Sequence, residues 1–140
     1  MYKIMVKLTY KNMLNITIII HTRNEEKNIG DCINSAKLLT NKIILIDMES
    51  TDKTVEIARN LKVPVFSFPK SNYVEPAREF GIKQATADWV LILDADERMT
   101  NELAEEIKNV IFVGNDPRVV PGRERETGIA GVQRNAPTVG

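Results

Sequence analysis

Short apolar runs alternate along the chain with longer stretches in which apolar residues recur every three or four positions. Residues 16–20, Ile-Thr-Ile-Ile-Ile, are a β-branched run bounded by polar residues and predict a buried strand. Residues 26–39 have the length and polar mixture of a helix, with Asn24 placed to cap it. Residues 43–47 repeat the strand signal. Ser50-Thr51-Asp52 then stand where they can cap a helix in which Val55, Ala58 and Leu61 recur at helical spacing. A third strand spans residues 63–68 and tolerates Pro64 only at its start or on a sheet edge. Pro76 suits the first turn of a helix whose Ala77, Phe80, Gly81 and Ala85 share one side. Residues 89–93 are the fourth strand, and Thr100 can cap a last helix carrying Leu103, Ile107, Val110 and Ile111 on one side.

This order of alternating strands and helices predicts an α/β fold: a mostly parallel sheet with helices on both faces, joined by right-handed crossovers. Strands buried on both faces read as continuous apolar runs, as these do. In such sheets the ligand crevice lies at the carboxyl ends of the strands, where the strand order reverses. His21, Thr22, Arg23 and Asn24 follow strand one, Asp47 ends strand two, and Asp94-Ala95-Asp96-Glu97 ends strand four. Several polar clusters thus converge on one edge. The acidic group, three carboxylates in four residues, has two readings. It is a site for a hard divalent cation, which prefers oxygen ligands, or it is an acidic turn that begins the next helix.

Composition narrows the class. A chain of 140 residues is one domain's worth, and its 19 basic and 19 acidic residues cancel, which gives no electrostatic reason to expect nucleic acid as a partner. Cys32 is the only cysteine, so neither an internal disulfide nor a cysteine-based zinc site can form; this suits a reducing cytoplasm. The apolar run at 16–20 is too short for a transmembrane segment, and Lys3, Lys7 and Lys11 interrupt any signal-peptide core. A cytoplasmic location, with peripheral association at the inner face of the membrane left open, is the expectation.

Four blocks carry a family resemblance. Ile18-Ile19-Ile20-His21-Thr22-Arg23-Asn24-Glu25-Glu26-Lys27-Asn28-Ile29, Ile46-Asp47-Met48-Glu49-Ser50-Thr51-Asp52-Lys53-Thr54, Ala77-Arg78-Glu79-Phe80-Gly81-Ile82 and Leu93-Asp94-Ala95-Asp96-Glu97 resemble family 2 glycosyltransferases of the GT-A, Rossmann-like fold. The likeness is to lipopolysaccharide-core-type members, and it covers residues 14–112. It implies a nucleotide-sugar-binding half in an enzyme that transfers sugar from a nucleotide-diphosphate donor, a UDP-sugar favoured, to a saccharide or lipid-linked acceptor in cell-envelope polysaccharide synthesis. It implies that Asp47 hydrogen-bonds the base, that Thr22, Arg23 and Glu25 belong to the donor pocket, and that Arg78 lies beside the nucleotide. Asp94 would face the ribose or donor sugar, and Asp96 of the Asp-x-Asp would bind a Mg²⁺ or Mn²⁺ held by the diphosphate. His21, where the family often has proline or a small residue, reads as packed or base-lining rather than catalytic.

The departures are specific. Met48 and Glu49 stand where a small polar residue and glycine are usual, and a residue other than glycine resists a positive φ, so a looser turn and an altered base pocket are expected. Residues 1–13 read as an N-terminal extension. Residues 113–140 hold five of the seven glycines and three of the six prolines, lack apolar periodicity, and read as irregular or disordered. The family's acceptor half and its catalytic base are not visible, so a truncated chain is expected and no catalytic residue is assigned. An exposed sheet edge left by that half makes a homodimer credible. Two alternatives stand beside the transferase: a non-catalytic nucleotide-sugar-binding or interaction remnant, and a nucleotidyltransferase. The latter is disfavoured because no glycine-rich phosphate loop follows strand one.

Overall fold

The computed structural model of the chain describes residues 15–115 and 132–134. In chain order the elements are β1 (Ile16–Thr22), α1 (Ile29–Ala36), β2 (Ile43–Asp47), α2 (Thr54–Asn60), β3 (Val65–Ser67), α3 (Glu75–Gln84), β4 (Trp89–Asp94), α4 (Asn101–Asn115) and β5 (Val132–Arg134). They form a single sheet of order β3-β2-β1-β4-β5. The first four strands are parallel, as the alternation predicts, and β5 runs antiparallel to β4.

Every residue of β1 is buried, because the strand is central and covered on both faces. Its even-numbered residues Ile16, Ile18 and Ile20 join Leu45, Leu91 and Leu93 under α1, α2 and α4. Its odd-numbered Ile19 packs with Ile46, Val90 and Ala77 under α3. Gly81 allows that helix to lie close. A Cβ there would come within 3.0 Å of Ile19 Cγ2, 3.1 Å of Ile46 Cγ1 and 3.2 Å of His21 Nε2.

Three expectations are corrected. The first helix is shorter than 26–39, and Asn24 does not cap it; Asn24 takes a φ of 52° and turns its side chain to the loop after β2. Residues 113–140 are not wholly irregular: α4 continues to Asn115, and Val132–Arg134 form β5. Three residues can join an edge through backbone pairing alone, which needs no apolar period. The edge of β4 is therefore not fully open, since Trp89, Val90 and Leu91 pair with Arg134, Gln133 and Val132. The remaining residues of the tail, and those of the N-terminal extension before residue 15, lie outside the described residues. Pro64 immediately precedes the edge strand β3, and Thr100 Oγ1 accepts the Leu103 N–H at 3.1 Å, both as the sequence predicts.

Candidate functional site

In the order β3-β2-β1-β4 the chain moves outward on one side of β1 and then returns to its other side, so the strand order reverses between β1 and β4. The crevice belongs at the carboxyl ends of these two strands. Register brings the expected residues there in pairs: Thr22 lies opposite Asp47, and His21 opposite Asp94. Strand alternation then divides them between faces. Thr22 and Asp47 continue the row of Ile20 and Leu45 on the α1 and α2 side, while His21 and Asp94 continue the row of Ile19 and Ile92 on the α3 side, where Arg78 sits in the first turns of α3.

The first pair is buried and incompletely satisfied. Asp47 is 5% exposed; its Oδ2 accepts the Ser50 N–H at 3.1 Å, and its Oδ1 has no partner. Thr22, 2% exposed, has an unpartnered hydroxyl. Buried polar atoms are rarely left this way, and these two orphans stand side by side at the carboxyl edge of the sheet. On the α3 face, Arg78 is half-buried and its Nε is shielded without a partner. Arg23, Asp94 and Asp96 are exposed, and the carboxylates of Asp94 and Asp96 make no hydrogen bond or ion pair among the described residues.

Two pieces of scaffold hold this edge. After β1, Asn24 N–H donates to Ser50 Oγ at 2.9 Å, Thr51 N–H to Asn24 Oδ1 at 2.7 Å, and Glu25 N–H to Thr54 Oγ1 at 2.9 Å. Glu26 N–H donates to Asp52 Oδ2 at 3.1 Å, and Lys53 N–H returns a bond to Glu26 Oε2 at 3.1 Å. The Asn-Glu-Glu and Ser-Thr-Asp-x-Thr blocks therefore form a clasp between the loops after β1 and β2. Burial raises the Asp52 pKa, but hydrogen bonds from Thr54 and Glu26 outweigh it and hold the carboxyl below its usual range. Glu25 serves this turn: its Oε2 accepts from Asn28 Nδ2 at 3.0 Å.

The acidic loop is held from α1. Asp94 N–H donates to Glu97 Oε2 at 2.8 Å and Glu97 N–H to Asp94 O at 2.9 Å, closing the turn that leaves Asp96 outward. Arg98 donates through Nη1 to Ala95 O at 3.0 Å and Glu97 O at 2.8 Å, and through Nη2 to Asn28 Oδ1 at 3.1 Å. Ser35 Oγ accepts the Met99 N–H at 2.9 Å, and the Cys32 thiol donates to Asp94 O at 3.5 Å. Burial pushes that thiol up to about 11, which leaves it protonated and structural.

Geometry of this kind also decides the turn after Asp47. Glu49 adopts a φ of 59° in spite of its side chain, and Met48 N–H donates to Thr22 O at 2.9 Å, so the left-handed turn is kept rather than loosened. Met48 is anchored in the apolar cluster under α3, and Glu49 Oε2 accepts the Lys70 N–H at 3.1 Å.

A sequence model of Glycosyl transferase family 2 matches residues 17–131. The chain belongs to glycosyltransferase family 2. The match runs past residue 112, where the likeness read from the sequence ends. An uncharacterized glycosyltransferase of Rickettsia typhi is 41% identical over 106 residues, covering 76% of this chain and 36% of that protein. The chain thus spans about a third of that relative's length. Among solved structures, S. aureus TarS 1-349 superposes with a TM-score of 0.64 at 22% identity, over 77% of this chain and 38% of that one. Glucosyl-3-phosphoglycerate synthase from Mycobacterium tuberculosis, in complex with Mg²⁺ and uridine diphosphate, gives a TM-score of 0.54 at 23% identity, over 62% of this chain and 35% of that one. At these identities the likeness is one of fold, the GT-A fold.

Sequence reasoning missed Arg98, Asn28, Ser35 and Thr54 as scaffold. A signal existed for Arg98, a lone cation directly after three carboxylates in four residues; the others depend on which turns meet in space.

Proposed function

We propose that residues 15–115 are the donor-binding part of a family 2 glycosyltransferase and hold a nucleotide-diphosphate sugar, a UDP-sugar favoured, at the carboxyl ends of β1, β2 and β4. The observation that carries this reading is the buried, unpartnered Asp47 Oδ1 opposite the unpartnered Thr22 hydroxyl, at the switch point and level with the acidic loop. A carboxylate oxygen that only accepts suits an N–H of a nucleobase, and the Thr22 hydroxyl can complement it. Arg78 suits a diphosphate oxygen, Arg23 lines the mouth, Glu25 shapes it, and Asp94 faces the ribose or sugar.

The donor set fits a hard divalent cation. Asp94 and Asp96 offer carboxylate oxygens free of protein partners, while among the described residues no three His, Cys, Asp or Glu side chains are arranged to hold a metal ion by themselves. Asp96 would be a protein ligand to Mg²⁺ or Mn²⁺ that the diphosphate and water also coordinate. When bound, such an ion supplies neutralisation of the charge on a departing diphosphate. The M. tuberculosis neighbour's complex with Mg²⁺ and uridine diphosphate supports this reading.

Transfer to a saccharide or lipid-linked acceptor is proposed for proteins of the relatives' full length; for these residues the proposal is donor binding. No helix among the described residues is long and apolar enough to cross a membrane. Calorimetry with uridine diphosphate tests the reading. Binding is expected to be tighter with Mn²⁺ than with EDTA, and Asp96→Ala is expected to remove that difference. Equal affinity in both conditions would remove the metal claim, and no binding in either would remove the donor site.

A further inference from the structure

We propose that His21 is a positioning residue for Arg78, its Nε2–H tethering the first turns of α3 to the central strand and so fixing where the Arg78 guanidinium stands. The hydrogen bond is His21 Nε2 to Ala77 O at 3.1 Å, and a carbonyl only accepts, so Nε2 carries a proton and donates it. Ala77 is fully buried and is followed immediately by Arg78. His21 is 6% exposed, and its Nε2 lies 3.2 Å from where a Cβ on Gly81 would stand, so the ring sits directly beneath the helix.

Arg78 needs such a tether. Its Nε is buried but has no protein acceptor, and it forms no ion pair among the described residues, so nothing at its own end fixes the side chain. The nearest fixed point is the backbone one residue earlier, and His21 holds it. Both Arg78 and Asp94 are close enough for their charges to act on the ring. A proline or an aliphatic residue at position 21 offers no N–H to Ala77 O. The functional consequence for diphosphate binding rests on the donor-site reading above; the tether itself does not.

The test follows Arg78 directly. Its shielded Nε–H gives a slowly exchanging NMR signal in arginine-labelled protein, assigned by its loss in Arg78→Lys. His21→Leu removes the donor and is expected to speed that exchange on the order of tenfold by freeing the first turns of α3. His21→Gln carries an amide N–H to the place of Nε2 and is expected to keep slow exchange, whereas the shorter His21→Asn reaches only the place of Nδ1 and is expected to lose it. This pair decides the matter even where the leucine variant does not fold. Equal exchange in the Gln and Asn variants, or unchanged exchange in a folded His21→Leu, overturns the proposal. Calorimetry with uridine diphosphate and Mn²⁺ adds a functional readout: His21→Leu and Arg78→Ala are each expected to weaken binding about tenfold, and the double variant no further. Losses that multiply overturn the proposal too. A wild-type chain that binds no uridine diphosphate sinks the donor-site reading instead, and the exchange data still decide this one.

Discussion

Replacing Thr54 by valine separates the clasp from ordinary packing. Thr54 is fully buried, so by apolar area alone a valine of the same shape would be neutral or stabilising. The hydroxyl argues the opposite. Its oxygen accepts the Glu25 N–H at 2.9 Å, and it donates to Asp52 Oδ1. Valine removes a hydrogen bond worth about 1 kcal/mol net and strands the half-buried Glu25 N–H for about 1 kcal/mol more, taken at the low end because water has partial access. The donation to Asp52 is left out of that sum because water can replace it. The expected loss is about 2 kcal/mol, or roughly 8 °C in melting temperature for a chain of this size. Thr54→Ser keeps both hydrogen bonds and loses one methyl, for about 1 kcal/mol. Equilibrium urea unfolding of the three proteins at unchanged m-value is the assay, with amide exchange at Glu25 and Glu26 as the local readout. A valine variant as stable as wild type, or more stable than the serine variant, would refute the clasp.

Three further outcomes are expected. Burial lowers the His21 pKa below its usual 6.5, the Ala77 carbonyl opposes this, Arg78 adds to it and Asp94 opposes it, so the unfolded chain takes up the proton first. Stability is then full above pH 6.5 and falls as pH drops below it, by at most about 1.4 kcal/mol per pH unit from this group. As the chain has one histidine, urea midpoints at about pH 7.5 and about pH 5.5 should differ in wild type and much less in His21→Gln. Glu49→Gly relieves a left-handed residue at φ 59° and should raise stability by about 0.5–1 kcal/mol in spite of the lost bond to Lys70 N–H; a lower urea midpoint would count against the strain. Gly81→Val puts atoms where Ile19, Ile46 and His21 already stand at 3.0–3.2 Å from a Cβ and should cost about 3 kcal/mol in the same assay. Wild-type stability there would mean that α3 packs less closely.

Much of this fold was legible because its signals are local. A run such as Ile18-Ile19-Ile20 predicts a doubly covered strand by itself, and Pro76 and Thr100 mark helix starts through backbone chemistry that needs no tertiary partner. The convergence of Thr22, Asp47 and Asp94 on one edge followed from parallel topology alone. What escaped was set by contacts distant in sequence. Asn24 looks like a cap until Ser50 and Thr51 compete for its polar groups, and β5 has only three residues to announce it. Met48-Glu49 suggested a looser turn because the strain of a left-handed glutamate is visible in sequence, whereas the packing and hydrogen bonds that offset it are not.

The place of β1 between β2 and β4 gives assembly a direction. Ile18 meets Ile43 on one flank and Leu91 on the other, so the first seam and its loop clasp can close once the chain is made to residue 54, long before the second. Closing the second seam spans a far longer loop and carries the larger entropic penalty. On a ribosome that emits the amino end first, the Thr22 and Asp47 pair exists as a preformed half-wall, and the Asp94 loop arrives afterwards. The crevice is thus complete only once β4 has joined β1, and a ligand spanning both walls would act as a latch on the seam with the longer loop to close.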